Sequence, residues 1–319
     1  MLRQADVLCL AGMNRPTPKP TWTVEEEGIL DARLLPDSDF SALWDAIIID
    51  QDLKDQLLAQ GVLNFTLRGR VDRARFPLHG MIVLVGPPGT GKTSLARGLA
   101  SRIAETLRGN GAFRFIEVEP HALTSASLGR SQKAVMQLFG STIAERADKP
   151  LIVLLDEVET LAADRTKMSL EANPVDVHRA TDAVLAQLDH LASSHPNLLF
   201  IATSNFPQAI DAALLSRADV IRTVGLPNKD ASKRILLSTV EALAEAFPEV
   251  GKLLSDPAID KAAKACEGLD GRQIRKVVAA ACALRKEVAL DPRQLTAPDI
   301  LKAANLARRE QLPNQETKP

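Results

Sequence analysis

The sequence predicts an α/β fold: a parallel five-stranded sheet flanked by helices, followed by a small all-helical domain. Three observations carry that expectation. Short apolar runs at Met81–Val85, Phe113–Val118, Leu151–Leu155, Leu198–Ala202 and Val220–Val224 alternate with segments of helical period, and strands alternating with helices build a parallel sheet covered on both faces. After Pro227 the strand pattern stops and only helical periods rich in Ala, Leu and Lys follow. The chain has 319 residues, 45% hydrophobic and 25% charged, which suffices for two cores of ordinary size.

The elements follow in order. Residues 1–40 carry Pro16, Pro18, Pro20 and Pro36 among charges such as Glu25, Glu26 and Glu27 and read as an irregular arm. From Phe40 a helical pattern runs through Leu43, Ile47, Leu53, Leu57 and Leu58 and ends near Gly61. Between the strand runs, Leu95, Leu99, Ile103 and Leu107 repeat every four residues, and the same spacing recurs in Val135, Leu138, Phe139, Thr142 and in Val177, Thr181, Val184, Leu188, Leu191. These place a large domain over 41–226. A helical domain is expected over 227–310, with helices near 229–247, 257–266, 270–290 and 297–309; residues 311–319 should form a frayed tail.

Composition excludes several classes. Lys plus Arg number 39 against 40 Asp plus Glu, so no global basic field exists to hold a polyanion or a membrane surface. Nine Phe, two Trp and no Tyr argue against a single-stranded nucleic-acid platform, which stacks bases on rings. Cys9, Cys266 and Cys282 form no CxxC pair, which points away from disulfide frameworks and zinc and towards a reducing cytoplasm. Cys266 and Cys282 sit on helical patterns and read as small core residues. The five histidines have no metal-ligand spacing. The apolar runs fall far short of the about 20 residues that a bilayer span requires, and Val7–Met13 does not read as a secretory leader.

Directly after the first apolar run stand Gly86, Pro87, Pro88, Gly89, Thr90, Gly91, Lys92, Thr93 and Ser94, opening the helix that contains Leu95. This is a complete phosphate-binding loop between strand and helix. The glycines let backbone amides point inward around phosphates, and the helix N-terminus adds partial positive charge. Lys92 reaches the β- and γ-phosphates of ATP, and the Thr93 hydroxyl ligates Mg²⁺.

The run Leu151–Leu155 ends in Asp156 and Glu157. Neighbouring residues on a strand point opposite ways, so the two carboxylates must do different work. Asp156 is assigned to hold Mg²⁺ and Glu157 to act as general base on the attacking water. That base favours hydrolysis over transfer. Asn205, at the end of the run through Ala202-Thr203-Ser204, is placed to hydrogen-bond the water or the γ-phosphate; taken alone it would serve equally well as a turn residue.

These pieces in this order resemble an AAA+ ATPase, with a P-loop core and a helical lid. In the family the segment corresponding to Asp211–Asp219 carries an arginine finger that completes the neighbouring subunit's site, which assigns that role to Arg217. Gly268-Leu269-Asp270-Gly271-Arg272 is similar to the sensor-2 motif, so Arg272 should contact nucleotide within its own chain, with Arg275 one turn later as an alternative. The short Ser216-Arg217-Ala218-Asp219 segment, Leu43-Trp44-Asp45 and Leu155-Asp156-Glu157-Val158-Glu159 resemble the pachytene-checkpoint (thyroid-receptor-interactor) branch over about 40–310. That branch comprises hexameric ATPases that remodel HORMA-domain proteins, and in it Ile49 and Asp50 lie near adenine. The short arm before the core resembles bacterial members, which lack a folded N-terminal domain and accompany antiphage signalling systems. The family places an aromatic pair in pore loop 1, whereas here Ser127, Leu128 and Gly129 occupy it. A homo-hexamer and a HORMA-domain substrate are the implied partners.

The competing reading is a DNA-directed loader or helicase-associated ATPase, supported locally by Arg68, Arg70, Arg73 and Arg75. A basic cluster beside Asp72 reads more simply as a solvated or intersubunit face. A non-enzymatic nucleotide-gated scaffold is disfavoured by Asp156, Glu157 and Asn205 together. A guanine site at Asn228-Lys229-Asp230 fails because its Lys and Asp are adjacent.

Overall fold

The computed structural model describes residues 22, 24, 26–120, 130–162 and 174–311. Ser127, Leu128 and Gly129 lie outside the described residues, as do Cys9, most of the arm and the tail after Gln311.

The sheet has six strands: β1 (Ile29–Leu35), β2 (Met81–Val85), β3 (Phe113–Val118), β4 (Leu151–Leu155), β5 (Leu198–Ser204) and β6 (Val220–Thr223). They lie in the order β1-β3-β4-β5-β2-β6. The five expected strands are parallel, and β1 adds an antiparallel edge, pairing from Ile29 opposite Val118 to Leu35 opposite Phe113. The sheet is therefore one strand larger than the sequence pattern suggested, and the extra strand comes from the stretch expected to be irregular. Its Asp31 and Arg33 break the apolar run, yet an edge strand tolerates them because only one side of it is paired. Arg33 bridges Asp31 at 2.6 Å and Asp37 at 3.2 Å and lies 4.3 Å from the Phe40 ring centre.

Strands β2 and β4 are buried at every position, as apolar runs covered by helices on both faces must be. The two-residue period divides them between two cores. Met81, Val83, Leu151, Val153 and Leu155 face Phe139, Leu188 and Phe200. Ile82, Leu84, Ile152 and Leu154 face Leu95, Leu99, Ile103 and Trp44.

The second layer is formed by α1 (Ser38–Ala46), α2 (Gln51–Leu67) and α3 (Lys92–Thr106). The single helical pattern expected from Phe40 to Gly61 is in fact two helices broken at Ile47–Asp50. Asp50 caps α2 by accepting the Asp52 amide at 2.8 Å, the usual role of Asp at a helix start. On the other face lie α4 (Arg130–Gln137), continued as a π-helical stretch Leu138–Ile143 and a last turn Ala144–Arg146, and α5 (Pro174–Ser194). The short α6 (Ala212–Leu215) precedes β6.

A third core joins α7 (Lys229–Ala246), α8 (Ala258–Ala265), α9 (Gly271–Ala283), α10 (Lys286–Leu290) and α11 (Ala297–Gln311). The helix expected over 270–290 is interrupted. Arg285 is extended (φ −134°, ψ 134°), and its guanidinium donates to Asp299 at 3.0 and 2.7 Å and to the Gln294 carbonyl at 3.1 Å. Cys266 is buried in this core, and burial pushes its thiol up to about 11. Among the described residues no helix is long and apolar enough to cross a membrane.

Candidate active site

The loop from Gly86 to Gly91 joins β2 to α3 at the carboxyl edge of the sheet. Gly91 caps the helix with φ 90°, a conformation that costs other residues free energy. A Cβ on Gly89 would stand 2.3 Å from the Asp270 carboxyl carbon, so a side chain there would collide with the start of α9. Asp270 is held in place by a reciprocal capping box with Gln273, the two bonds each 2.9 Å. In this way the helical domain closes over the loop.

Lys92 is 5% exposed. Its Nζ donates to the Gly86 carbonyl at 2.9 Å, the Pro87 carbonyl at 2.8 Å and Asn205 Oδ1 at 2.7 Å. Burial holds its pKa below the ordinary lysine value, opposed by the charges of Glu159, Asp156 and Glu157. The Thr93 hydroxyl donates to Asp156 Oδ1 at 2.8 Å. These are hard oxygen donors side by side, and they fit Mg²⁺. Asn205 Nδ2 donates to Glu157 Oε1 at 3.0 Å, so Lys92, Asn205 and Glu157 form one chain of polar groups across the end of the sheet.

A cavity of about 660 Å³ opens above them, within the range of small-ligand sites. One end is polar, with Pro88 to Ser94, Glu157 and Asn205. The other is largely apolar, lined by Ile47, Ile49, Leu53 and Ile235, with Asp50, Arg272 and Arg275 at its rim. A polar end for phosphates and an apolar end for a base, with room between, suit a nucleoside triphosphate. Arg275 Nη2 also donates to the Ala46 carbonyl at 2.9 Å, fastening the helical domain to the break between α1 and α2.

The structure thus gathers Lys92, Thr93, Asp156, Glu157, Asn205, Ile49, Asp50 and Arg272 in one place. Arg217 is elsewhere. Its Nε and Nη2 donate to Asp189 at 2.8 and 2.6 Å, and its Nη1 to the Ala213 carbonyl at 2.5 Å. Two residues on, the Asp219 carboxylate accepts the amides of His79, Gly80 and Met81 at 2.7, 2.7 and 3.0 Å. Of the basic cluster at 68–75, Arg68 is withdrawn from solvent. It is 6% exposed, donates to the Leu198 and Ala192 carbonyls at 2.5 and 2.8 Å, and burial lowers its pKa to about 10.

Two residues of the site were missed by sequence reasoning. Glu159 Oε1 accepts the Asn205 amide at 3.1 Å, while its Oε2 is buried with no hydrogen-bond partner among the described residues. Thr203 accepts the Glu157 amide at 3.1 Å and donates to Asp156 Oδ1. Both stand inside the motifs already quoted, but their partners are 46 or 47 residues away, beyond any local pattern.

A buried lysine at the head of a glycine-lined loop, facing two carboxylates and a lid, defines a P-loop ATPase. Residues 82–226 match the ATPase family associated with various cellular activities (AAA). CD-NTase-associated protein 6 of Pseudomonas aeruginosa is 57% identical over 287 residues, covering 90% of this chain and 94% of that protein. The pachytene checkpoint protein 2 homolog of Arabidopsis thaliana is 35% identical over 280 residues, covering 76% of this chain and 59% of its own length. The structure of C. elegans PCH-2 has a TM-score of 0.71 at 27% identity and covers 92% of this chain and 78% of that one. In fold, the chain also resembles one from an E. coli HORMA:CdnC:Trip13 complex, with TM-score 0.70, 19% identity and coverage of 88% and 95%. The chain belongs to the AAA ATPases, in the branch that holds the pachytene checkpoint protein 2 homologues, and is an ATP-hydrolysing enzyme.

Proposed function

We propose that this chain forms a homo-hexamer in the bacterial cytoplasm that spends ATP on remodelling complexes of a HORMA-domain protein, in the service of antiphage signalling. The observation that carries the catalytic part is the bonded series Lys92–Asn205–Glu157 beside Thr93 and Asp156. Lys92 and the amides of Gly89, Thr90 and Gly91 bind the phosphates. Thr93 and Asp156 would hold Mg²⁺, which when bound offsets phosphate charge. Glu157 takes the proton of the attacking water, and Asn205 fixes that water between Glu157 and the γ-phosphate. Ile49 and Asp50 border the base, and Arg272 reads the nucleotide from the lid.

Arg217 lies away from its own chain's cavity, as suits a residue that completes a neighbour's site. ATP then fastens adjacent copies together and hydrolysis loosens them, so rounds of turnover move the loop at Ser127, Leu128 and Gly129 against a bound polypeptide. The working units are 41–226 as ATPase and 227–310 as lid. Support for the HORMA-domain partner comes from the resemblance to the pachytene-checkpoint branch and from the composition of the E. coli complex whose chain shares the fold.

The test is ATP hydrolysis and partner-complex dissociation, with and without a HORMA-domain protein encoded nearby. Stimulated turnover with dissociation is expected; the absence of both would overturn the remodelling reading. Stimulation by DNA instead would revive the loader reading, which the burial of Arg68 weakens.

A further inference from the structure

The backbone ladder between β4 and β5 ends at Leu155 opposite Ala202. Beyond it the two segments are joined through side chains, and the one that meets Asp156 and Glu157 directly after the ladder is the Thr203 hydroxyl. Thr203 Oγ1 accepts the Glu157 amide at 3.1 Å and donates its proton to Asp156 Oδ1, which is the full use of one donor and one lone pair. On its far side Thr203 remains in the sheet, opposite Leu84 of β2, and the pairing continues to Ser204 opposite Val85. Its position is therefore fixed by β2, the strand that leads into the phosphate loop. Thr203 is 1% exposed, so water does not compete for these bonds.

The Glu157 backbone needs such a partner. It sits at φ 51°, ψ 52°, and among the described residues no other non-glycine has positive φ. Left-handed backbone is disfavoured for an L-residue because it brings Cβ close to the following carbonyl oxygen, and it persists where surrounding bonds over-determine it. The Thr203 hydroxyl supplies that bond from below, while Asn205 Nδ2 holds the Glu157 carboxylate from above at 3.0 Å. The same hydroxyl and Thr93 converge on Asp156 Oδ1, so the direction of one carboxylate and the backbone turn that aims the other share a single support.

We propose that Thr203 is a positioning residue for hydrolysis: its hydroxyl takes over from the β4–β5 ladder and sets the aim of Asp156 and Glu157 relative to the phosphate loop. This rests on the reading of Glu157 as the base. Thr203 is not among the residues that line the cavity; it acts through the two carboxylates.

The full-length chain is compared with Thr203→Val, which keeps the volume but removes donor and acceptor, with Thr203→Ala as a second hydroxyl-free variant, and with Thr203→Ser, which restores the hydroxyl. Displacing a catalytic group by about 1 Å costs on the order of a hundredfold in rate. Thr203→Val and Thr203→Ala should therefore lower kcat by about tenfold to a hundredfold, leaving KM and calorimetric Kd for ATP within about twofold. Thr203→Ser should return to near the parent rate. Parent-like kcat in either hydroxyl-free variant overturns the proposal, as does a Ser variant as slow as Val, which would assign the effect to the methyl group. A rise in KM equal to the fall in kcat would mean collapse of the loop and also overturns it. Glu157→Gln is run in parallel. If it hydrolyses ATP normally, the base assignment itself fails; if it is inactive while Thr203→Val is normal, only the role of Thr203 fails.

Discussion

At the carboxyl ends of β2, β4 and β5 polar side chains bond to one another as well as to backbone, whereas at the amino ends of β2 and β5 they bond mainly to backbone. Lys92, Asn205, Glu157, Asp156 and Thr93 make up the first knot. In the second, Asp219 receives three consecutive amides entering β2, and Arg68 donates to the carbonyls of Ala192 and Leu198 at the start of β5. The first knot includes the left-handed Glu157, and beside it Glu159 keeps a buried carboxylate oxygen with no hydrogen-bond partner among the described residues. Bonds between side chains at the cavity can be exchanged for bonds to a phosphate, while bonds that satisfy strand-end backbone have no better alternative. One end of the sheet is therefore arranged for exchange and the other for permanence, which is the division between function and stability expected of such sites.

Arg217 tests this division most severely, because it sits beside the permanent knot yet is paired with a half-exposed Asp189. If it completes a neighbour's site, Arg217→Ala should cut turnover about a thousandfold, the usual scale of an arginine finger. ATP affinity and melting temperature should barely move. Retained turnover would remove Arg217 from the chemistry and extend the structural end of the molecule to include it.

Lys92→Ala comes next. Losing three hydrogen bonds to neighbours would ordinarily destabilise the fold, but two of its acceptors are loop carbonyls near the cavity and the third is a side chain. ATP affinity should fall at least about a hundredfold by calorimetry, a loss of nearly 3 kcal/mol, with stability changed by less than about 1 kcal/mol. A large drop in unfolding free energy with binding intact would place Lys92 in the permanent class.

Asp219→Ala should behave in the opposite way. Each orphaned amide carries a penalty of about 1–3 kcal/mol, offset where water reaches it, so unfolding free energy should fall by about 3 kcal/mol in urea titration. Nucleotide affinity of the folded fraction should hold. Unchanged stability would mean that water replaces the carboxylate and that this end is no more closed than the other.

Most of this arrangement was legible in the sequence because it is local. The phosphate loop follows its strand directly, the acid pair ends a continuous apolar run, and Asn205 ends another. Strand β1 escaped notice because Asp31 and Arg33 interrupt the pattern and an edge position tolerates both. The break at Ile47–Asp50 was hidden because the apolar spacing continues across it; only Asp50 as a cap marks it. Thr203, Glu159 and Asp219 carry no periodic signal, and their functions exist only once β4, β5 and β2 lie side by side. The bond of Arg217 to Asp189 is invisible for the same reason.

The smallest expected effect is the most discriminating. Glu157 is held left-handed at φ 51°, which costs an L-residue about 1–2 kcal/mol and costs glycine little. Glu157→Gly would relieve that cost and remove a negative charge adjacent to Asp156. Against this it loses the exposed bond from Asn205 Nδ2, worth little at the surface, and adds freedom to the unfolded chain. The balance should be a gain of about 0.5 kcal/mol in unfolding free energy, accompanied by loss of hydrolysis if Glu157 is the base as proposed. A variant that is dead and slightly more stable is the signature of an end of the sheet arranged for exchange. A variant that is dead and less stable would show that the Glu157 side chain helps hold the fold, and the two ends would then differ in degree rather than in kind.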